Sequence, residues 1–163
     1  MFLKGICLIA TVFSLVGCAT PGTLPFESDI TKSRTYAASY DQVWKAIIAG
    51  VAESNLNITT IEKDSGIIAI SNSSYEPNWA YEGTRGNVMN VPDQVVERSA
   101  NFNILAVSEE EKQTRVQVNS SFKMKIKTGN GSNVYPFNYQ WQRAYSNGTL
   151  EKIILDGIAR RVE

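Results

Sequence analysis

Hydrophobic positions recur along this chain with two periods, and the points where one gives way to the other mark its elements. Val43, Trp44, Ile47, Ile48 and Val51 return at helical spacing, which predicts an amphipathic helix running to about Glu53. Ser39, with Gln42 three residues later, has the capping-box form that opens such a helix. Residues 34–38, RTYAA, predict a short strand ahead of it. Behind it, residues 56–61 and 66–71 are rich in β-branched side chains and are separated by Glu62-Lys-Asp-Ser65. That tight-turn composition between two strand-like runs predicts a hairpin.

Residues 75–94 follow neither period, and a stretch of about 20 such residues predicts a long loop of the kind that carries function or moves. Alternation resumes after Glu97. Ala100, Phe102, Ile104 and Ala106 share one face of a strand whose polar positions include Arg98, Asn101 and Asn103. Past a charged turn at 108–112, Val116, Val118, Phe122, Met124 and Ile126 fall on one face of a long strand. Gln117, Asn119, Ser121, Lys123, Lys125 and Lys127 fall on the other. So clean a division predicts an antiparallel sheet with one wet face. A glycine-rich turn at 128–132 leads through Pro136 into residues 139–145, and residues 146–162 predict a closing helix. In it Leu150, Ile154 and Ile158 are spaced by four with Ile153 alongside. Arg160 and Arg161 stand at the end where the helix dipole favours cations. The fold class is α+β, an antiparallel sheet with two helices in the order β-α-β-β-β-β-α.

Residues 1–33 stand outside this scheme. After Lys4 no charge occurs until Glu27, and the run between opens with the apolar stretch of a signal peptide. A bilayer span needs about 20 apolar residues, and Gly17 with Pro21-Gly22 ends this run sooner. Its close, Leu15-Val16-Gly17-Cys18, resembles the lipobox of bacterial lipoproteins. The resemblance implies that residues 1–17 are a signal peptide recognised through Leu15, Val16 and Gly17. It implies cleavage before Cys18 and transfer of a diacylglycerol to the Cys18 thiol, whose thiolate is the nucleophile. Ala19 in place of an aspartate implies sorting to the periplasmic leaflet of the outer membrane. Each buried methylene contributes about 0.8 kcal/mol, so two or three acyl chains make a lasting anchor. Residues 19–33 hold two prolines, a glycine and no apolar period, the composition of an extended tether. The expected organisation is therefore a signal at 1–17, a lipidated cysteine and tether at 18–33, and one domain at 34–163.

Composition narrows the function classes. The chain has 163 residues, and removal of 1–17 leaves enough for one domain with a real core. Sixteen basic residues balance sixteen acidic ones, and this near-neutrality argues against a general nucleic-acid binder. Cys7 leaves with the signal and Cys18 is alkylated, so no disulfide is expected. The chain has no histidine, which removes Ser-His-Asp and Cys-His catalysis, histidine-ligated zinc and a histidine pH switch. No two carboxylates stand in a context that separates their pKa values into an acid and a base. No catalytic residue, cofactor or metal site is expected, and an enzyme is the third choice.

The element order is similar to the helix-grip (TBP-like) domains of BamC-type lipoproteins, accessory members of the outer-membrane β-barrel assembly machinery. The likeness is carried by Leu15–Cys18, the helix opening Ser39-Tyr-Asp-Gln-Val-Trp44, the turn Lys63-Asp-Ser-Gly66 and the ending Gly148-Thr-Leu-Glu-Lys-Ile-Ile154. Members of that family usually carry two such domains and a longer tether, whereas this chain has room for one.

Two groups of residues stand out as candidate contacts. Tyr75, Trp79, Tyr81 and Arg85 gather in the long loop and belong to the residue types enriched at binding hot spots; alternatively the loop folds back as a lid over a small core. Lys123, Lys125 and Lys127 form a stripe on one strand face. It suits anionic headgroups or the acidic groups of peptidoglycan, or it keeps the strand from pairing with other chains. Trp141 and Tyr145 are expected in the core or at the border of a groove between the last helix and the sheet. The leading expectation is a non-enzymatic, membrane-anchored module that binds an envelope protein or cell-wall component. The alternative is a periplasmic carrier holding a small apolar ligand or lipid between helices and sheet.

Overall fold

The computed structural model describes residues 29–54, 56–82 and 94–162. The expected signal peptide at 1–17, with Leu15, Val16 and Gly17, the expected lipidation site Cys18, and Arg85 lie outside the described residues. Strand β1 (Ser33–Tyr36) precedes helix α1 (Tyr40–Glu53). The capping box forms: the Ser39 backbone N–H donates to Gln42 Oε1 at 3.1 Å. The helix buries Val43, Trp44, Ala46, Ile47 and Val51, so the predicted stripe is the inward one, with Ile48 at its border.

Strands β2 (Ile58–Glu62) and β3 (Ile67–Ser73) make the expected hairpin. It turns through Gly66, whose φ of 72° favours glycine. The Gly66 carbonyl accepts the Ala106 N–H at 2.9 Å, an approach so close that a Cβ on Gly66 would lie 2.0 Å from the Ala106 oxygen. A single 3-10 turn (Pro77–Trp79) and strand β4 (Ala80–Tyr81) follow. Strands β5 (Gln94–Glu110), β6 (Gln113–Thr128) and β7 (Asn138–Ser146) precede helix α2 (Thr149–Val162).

All strand pairings are antiparallel, and the seven-stranded sheet has the order β2-β3-β5-β6-β7-β4. Strand β1 pairs with residues 114–117 of β6, whereas β7 pairs with residues 122–128 of the same strand. Thus β6 is shared end to end by two neighbours. The sheet holds two strands more than predicted, β4 and β7. Strand β7 escaped because residues 138–143 are exposed on both faces, leaving no buried period to read.

Both helices lie on the sheet face that carries Ile68, Ile70, Ala100, Phe102, Ile104, Ala106, Val116, Val118 and Phe122, all buried. This is the alternation the sequence predicts. Arg98 departs from it: it shares the inward face with Ala100, opposite Met124. The closing helix is rotated from its expected stripe. Leu150, Glu151, Leu155 and Ile158 are buried, Ile154 flanks them and Ile153 is exposed. The rotation follows from Glu151, which is 0 % exposed. Its carboxylate accepts Ser120 Oγ at 2.5 Å and Ser146 Oγ at 2.8 Å, so a residue that counts as polar in any pattern occupies the centre of the buried face.

Candidate functional site

On the sheet face away from the helices, the register sets Lys123 opposite Arg143, Lys125 opposite Trp141 and Lys127 opposite Tyr139. Lysines on β6 therefore stand beside aromatic rings on β7. The Lys123 ammonium lies 4.9 Å from the centre of the Trp141 ring, and Lys127 lies 3.7 Å from that of Phe137. Lys125 sits between Trp141 and Tyr139, at 5.8 and 6.0 Å. The Arg143 guanidinium is 5.0 Å from the Tyr145 ring. Each such pair contributes about 0.5–1 kcal/mol at an exposed site, which holds the comb of rings and cations in order.

The rings remain open to solvent. Tyr139 is 53 % exposed, Trp141 44 % and Tyr145 49 %, and the turn before β7 adds Val134 at 76 % with Tyr135 and Phe137. Trp141 and Tyr145 are thus neither core residues nor the border of a helix groove, which corrects the sequence expectation. Alternation along 137–145 reveals two faces but not which of them is inward. Here the inward parity falls on Gln140 and Gln142, because Gln140 pairs with buried Ile126 and Gln142 with buried Met124. Large exposed apolar side chains grouped on one ribbon, with cations between them, have the composition of an interaction surface.

The long-loop residues divide. Tyr75 is 4 % exposed and meets Phe122 edge-on, with ring centres 4.9 Å apart. Its hydroxyl donates to Glu82 Oε1 at 3.0 Å. Arg98 donates to both oxygens of that carboxylate, at 2.7 and 2.8 Å. Tyr75 is therefore a core residue on a bidentate ion pair rather than an exposed contact. Hydrogen bonds from Arg98 hold the Glu82 carboxyl below its ordinary value against the opposing effect of burial. Burial first, then the bond to Glu82, raises the Tyr75 phenol. Trp79 is half-buried against the core and Tyr81 is exposed. The described part of the loop covers the core, leaving Tyr81 as its free aromatic.

Between the loop and the lysine comb lies an open polar cleft of about 650 Å³ lined by Tyr75, Glu76, Glu97, Ser99, Lys123 and Trp141 among others. Among the described residues, the Ser99 hydroxyl at its base is buried without a hydrogen-bond partner. A second cavity, between α1, α2 and the sheet, holds about 170 Å³ and is lined by Ile47, Val51, Phe102, Ile154 and Ile158 among others. No cluster of three or more metal-ligating side chains occurs among the described residues, and none of their helices is long and apolar enough to cross a membrane. No protein-family model matches the chain, and comparison with curated proteins finds no significant match. The site offers cations, aromatic faces and a polar cleft, groups that can hold a ligand.

Proposed function

We propose that this protein is a lipid-anchored binding module of the bacterial envelope, tethered through Cys18 to the periplasmic leaflet of the outer membrane. Its α+β domain, of the helix-grip class in this reading, works through the β6–β7 face rather than through the long loop. The observation that carries the reading is the exposed comb of Lys123, Lys125, Lys127 and Arg143 interleaved with Phe137, Tyr139, Trp141 and Tyr145. A non-enzymatic role is supported by the absence of histidine and by the structural employment of Glu82 and Glu151, bound by Arg98 and by two serines. The carrier reading is less well supported, because a carried ligand needs about 300 Å³ or more and the cavity beneath the helices holds about 170 Å³.

Two experiments test the two halves of this reading. Metabolic labelling with a palmitate analogue should mark the wild type and not Cys18→Ala; retained label in the variant would sink the anchor. A photo-crosslinking amino acid at Tyr139 should give a defined adduct in intact cells, whereas the same group at Thr59, on the opposite edge of the sheet, should not. Equal adducts at both positions would sink the assignment of the face.

A further inference from the structure

We infer that the β6–β7 face is a second membrane contact, in which the turn at 129–137 enters the interfacial layer of an anionic bilayer and the lysine comb meets headgroup phosphates. The inference rests on the anchored reading above and gives the anchored domain an orientation.

The order of side chains along the ribbon is the first support. Val134, Tyr135 and Phe137 stand exposed at the tip, with Tyr139, Trp141 and Tyr145 behind them along β7. Val134 and Phe137 at the tip beside Tyr135, followed by rings with a polar end along the strand, match the order of depth at a lipid–water boundary, where Trp and Tyr concentrate. Lysine fits beside them because its stem lies along apolar surface while the ammonium reaches the headgroups. Val134 is the most exposed of these side chains at 76 %, an apolar group that a fluid interface can close around.

Charge is the second support. On this half of the sheet four cations face Glu97, which is 3.5 Å from Lys125, with Glu76 at the rim of the adjoining cleft. The chain as a whole is neutral, so the excess is local to the ribbon. Near an anionic leaflet each cation strengthens binding by about fivefold.

Reach is the third. Ile30 lies against Gly148, just past the end of β7, with Asp29, Tyr81 and Asn147 around the same cleft. From there to the turn is the length of residues 138–145, about 27 Å at about 3.4 Å per residue. The eleven residues from Cys18 to Asp29 span at most about 36–40 Å. An anchor at Cys18 therefore leaves the face free to lie on the same membrane.

The test uses the full lipidated chain in proteoliposomes carrying a shallow doxyl-labelled phosphatidylcholine. With about 30 mol% phosphatidylglycerol present, tryptophan emission should be quenched, and Trp141→Phe should remove at least about half of that quenching. In pure phosphatidylcholine, in about 0.5 M salt, or in a Lys123→Gln, Lys125→Gln, Lys127→Gln variant, the Trp141 share should be lost. Val134→Ser with Tyr135→Ser should weaken it while leaving the circular dichroism spectrum unchanged. Trp141 unquenched in anchored protein would overturn the inference, as would charge-dependent protection of Trp141 by purified sacculi or a single-stranded oligonucleotide in its place. A chain that fails to partition into the vesicles at all would instead refute the Cys18 anchor. The face is then tested by co-sedimentation of the unanchored chain with the same vesicles, where phosphatidylglycerol-dependent binding supports it and no binding overturns it.

Discussion

Glu151 shows how one side chain reorganises an element. A carboxylate removed from water is costly unless its lone pairs are met, and here two serine hydroxyls meet them, while its place in the first turn of α2 sets it at the helix end that favours an anion. Glu151→Ala should lower stability by about 2–4 kcal/mol in urea denaturation, since it opens a cavity and strands both serines. Glu151→Gln should cost less because an acceptor remains. A change within about 0.5 kcal/mol for the alanine variant would show that the triad is idle. The Arg98–Glu82 pair makes a prediction in pH. The folded-state pKa of Glu82 is lowered from 4.5, so its contribution is fully present above that pH and is lost as pH falls through the folded value. Urea midpoints measured at about pH 7 and about pH 3.5 should therefore fall less in Arg98→Met than in the wild type. Parallel losses would place the acid sensitivity elsewhere.

At the scale of elements, what the sequence discloses depends on whether an element has a single wet side. Helix α1 and the inward positions of β3, β5 and β6 were legible because a buried face alternates with a solvated one, whereas β2, with no buried residue, was legible from its β-branched run and the turn that follows it. Strand β7 was not, because its first six residues are solvated on both sides and its aromatic parity invites the opposite assignment. Only the register with β6, which pairs Trp141 with Lys125, settles it, and register is a property of two strands together. The α2 stripe misled for the converse reason, a carboxylate in a core position. Two variants separate folding from binding here. Gly66→Ala should cost at least about 2 kcal/mol, because a positive φ and the Ala106 carbonyl both oppose a Cβ. Trp141→Ala should cost less, about 1–2 kcal/mol for its two cation–π contacts with Lys123 and Lys125. Stability loss in Trp141→Ala equal to that in Gly66→Ala would make the comb a structural device.

For the molecule as a whole, neutrality conceals segregation. The balanced charge count argued against a polyanion binder, yet the fold collects four cations on one ribbon and spends carboxylates elsewhere, Glu82 on Arg98, Glu109 on Arg115 and Asp156 on Arg34. Of the candidates visible in the sequence, Lys123, Lys125 and Lys127 lie together on the β6–β7 face. Tyr75 belongs to the core, Trp79 leans on it, and Tyr81 stands free near the entry of the chain. The proposed surface is thus a composite of one stripe that could be read and one strand that could not. The measurement that tests it most directly is amide hydrogen exchange on the protein in its native envelope membranes, compared with the detergent-purified protein. Added protection should be confined to residues 123–145, with α1 and α2 unchanged. Protection of the helices instead, or the same exchange in both states, would contradict the account.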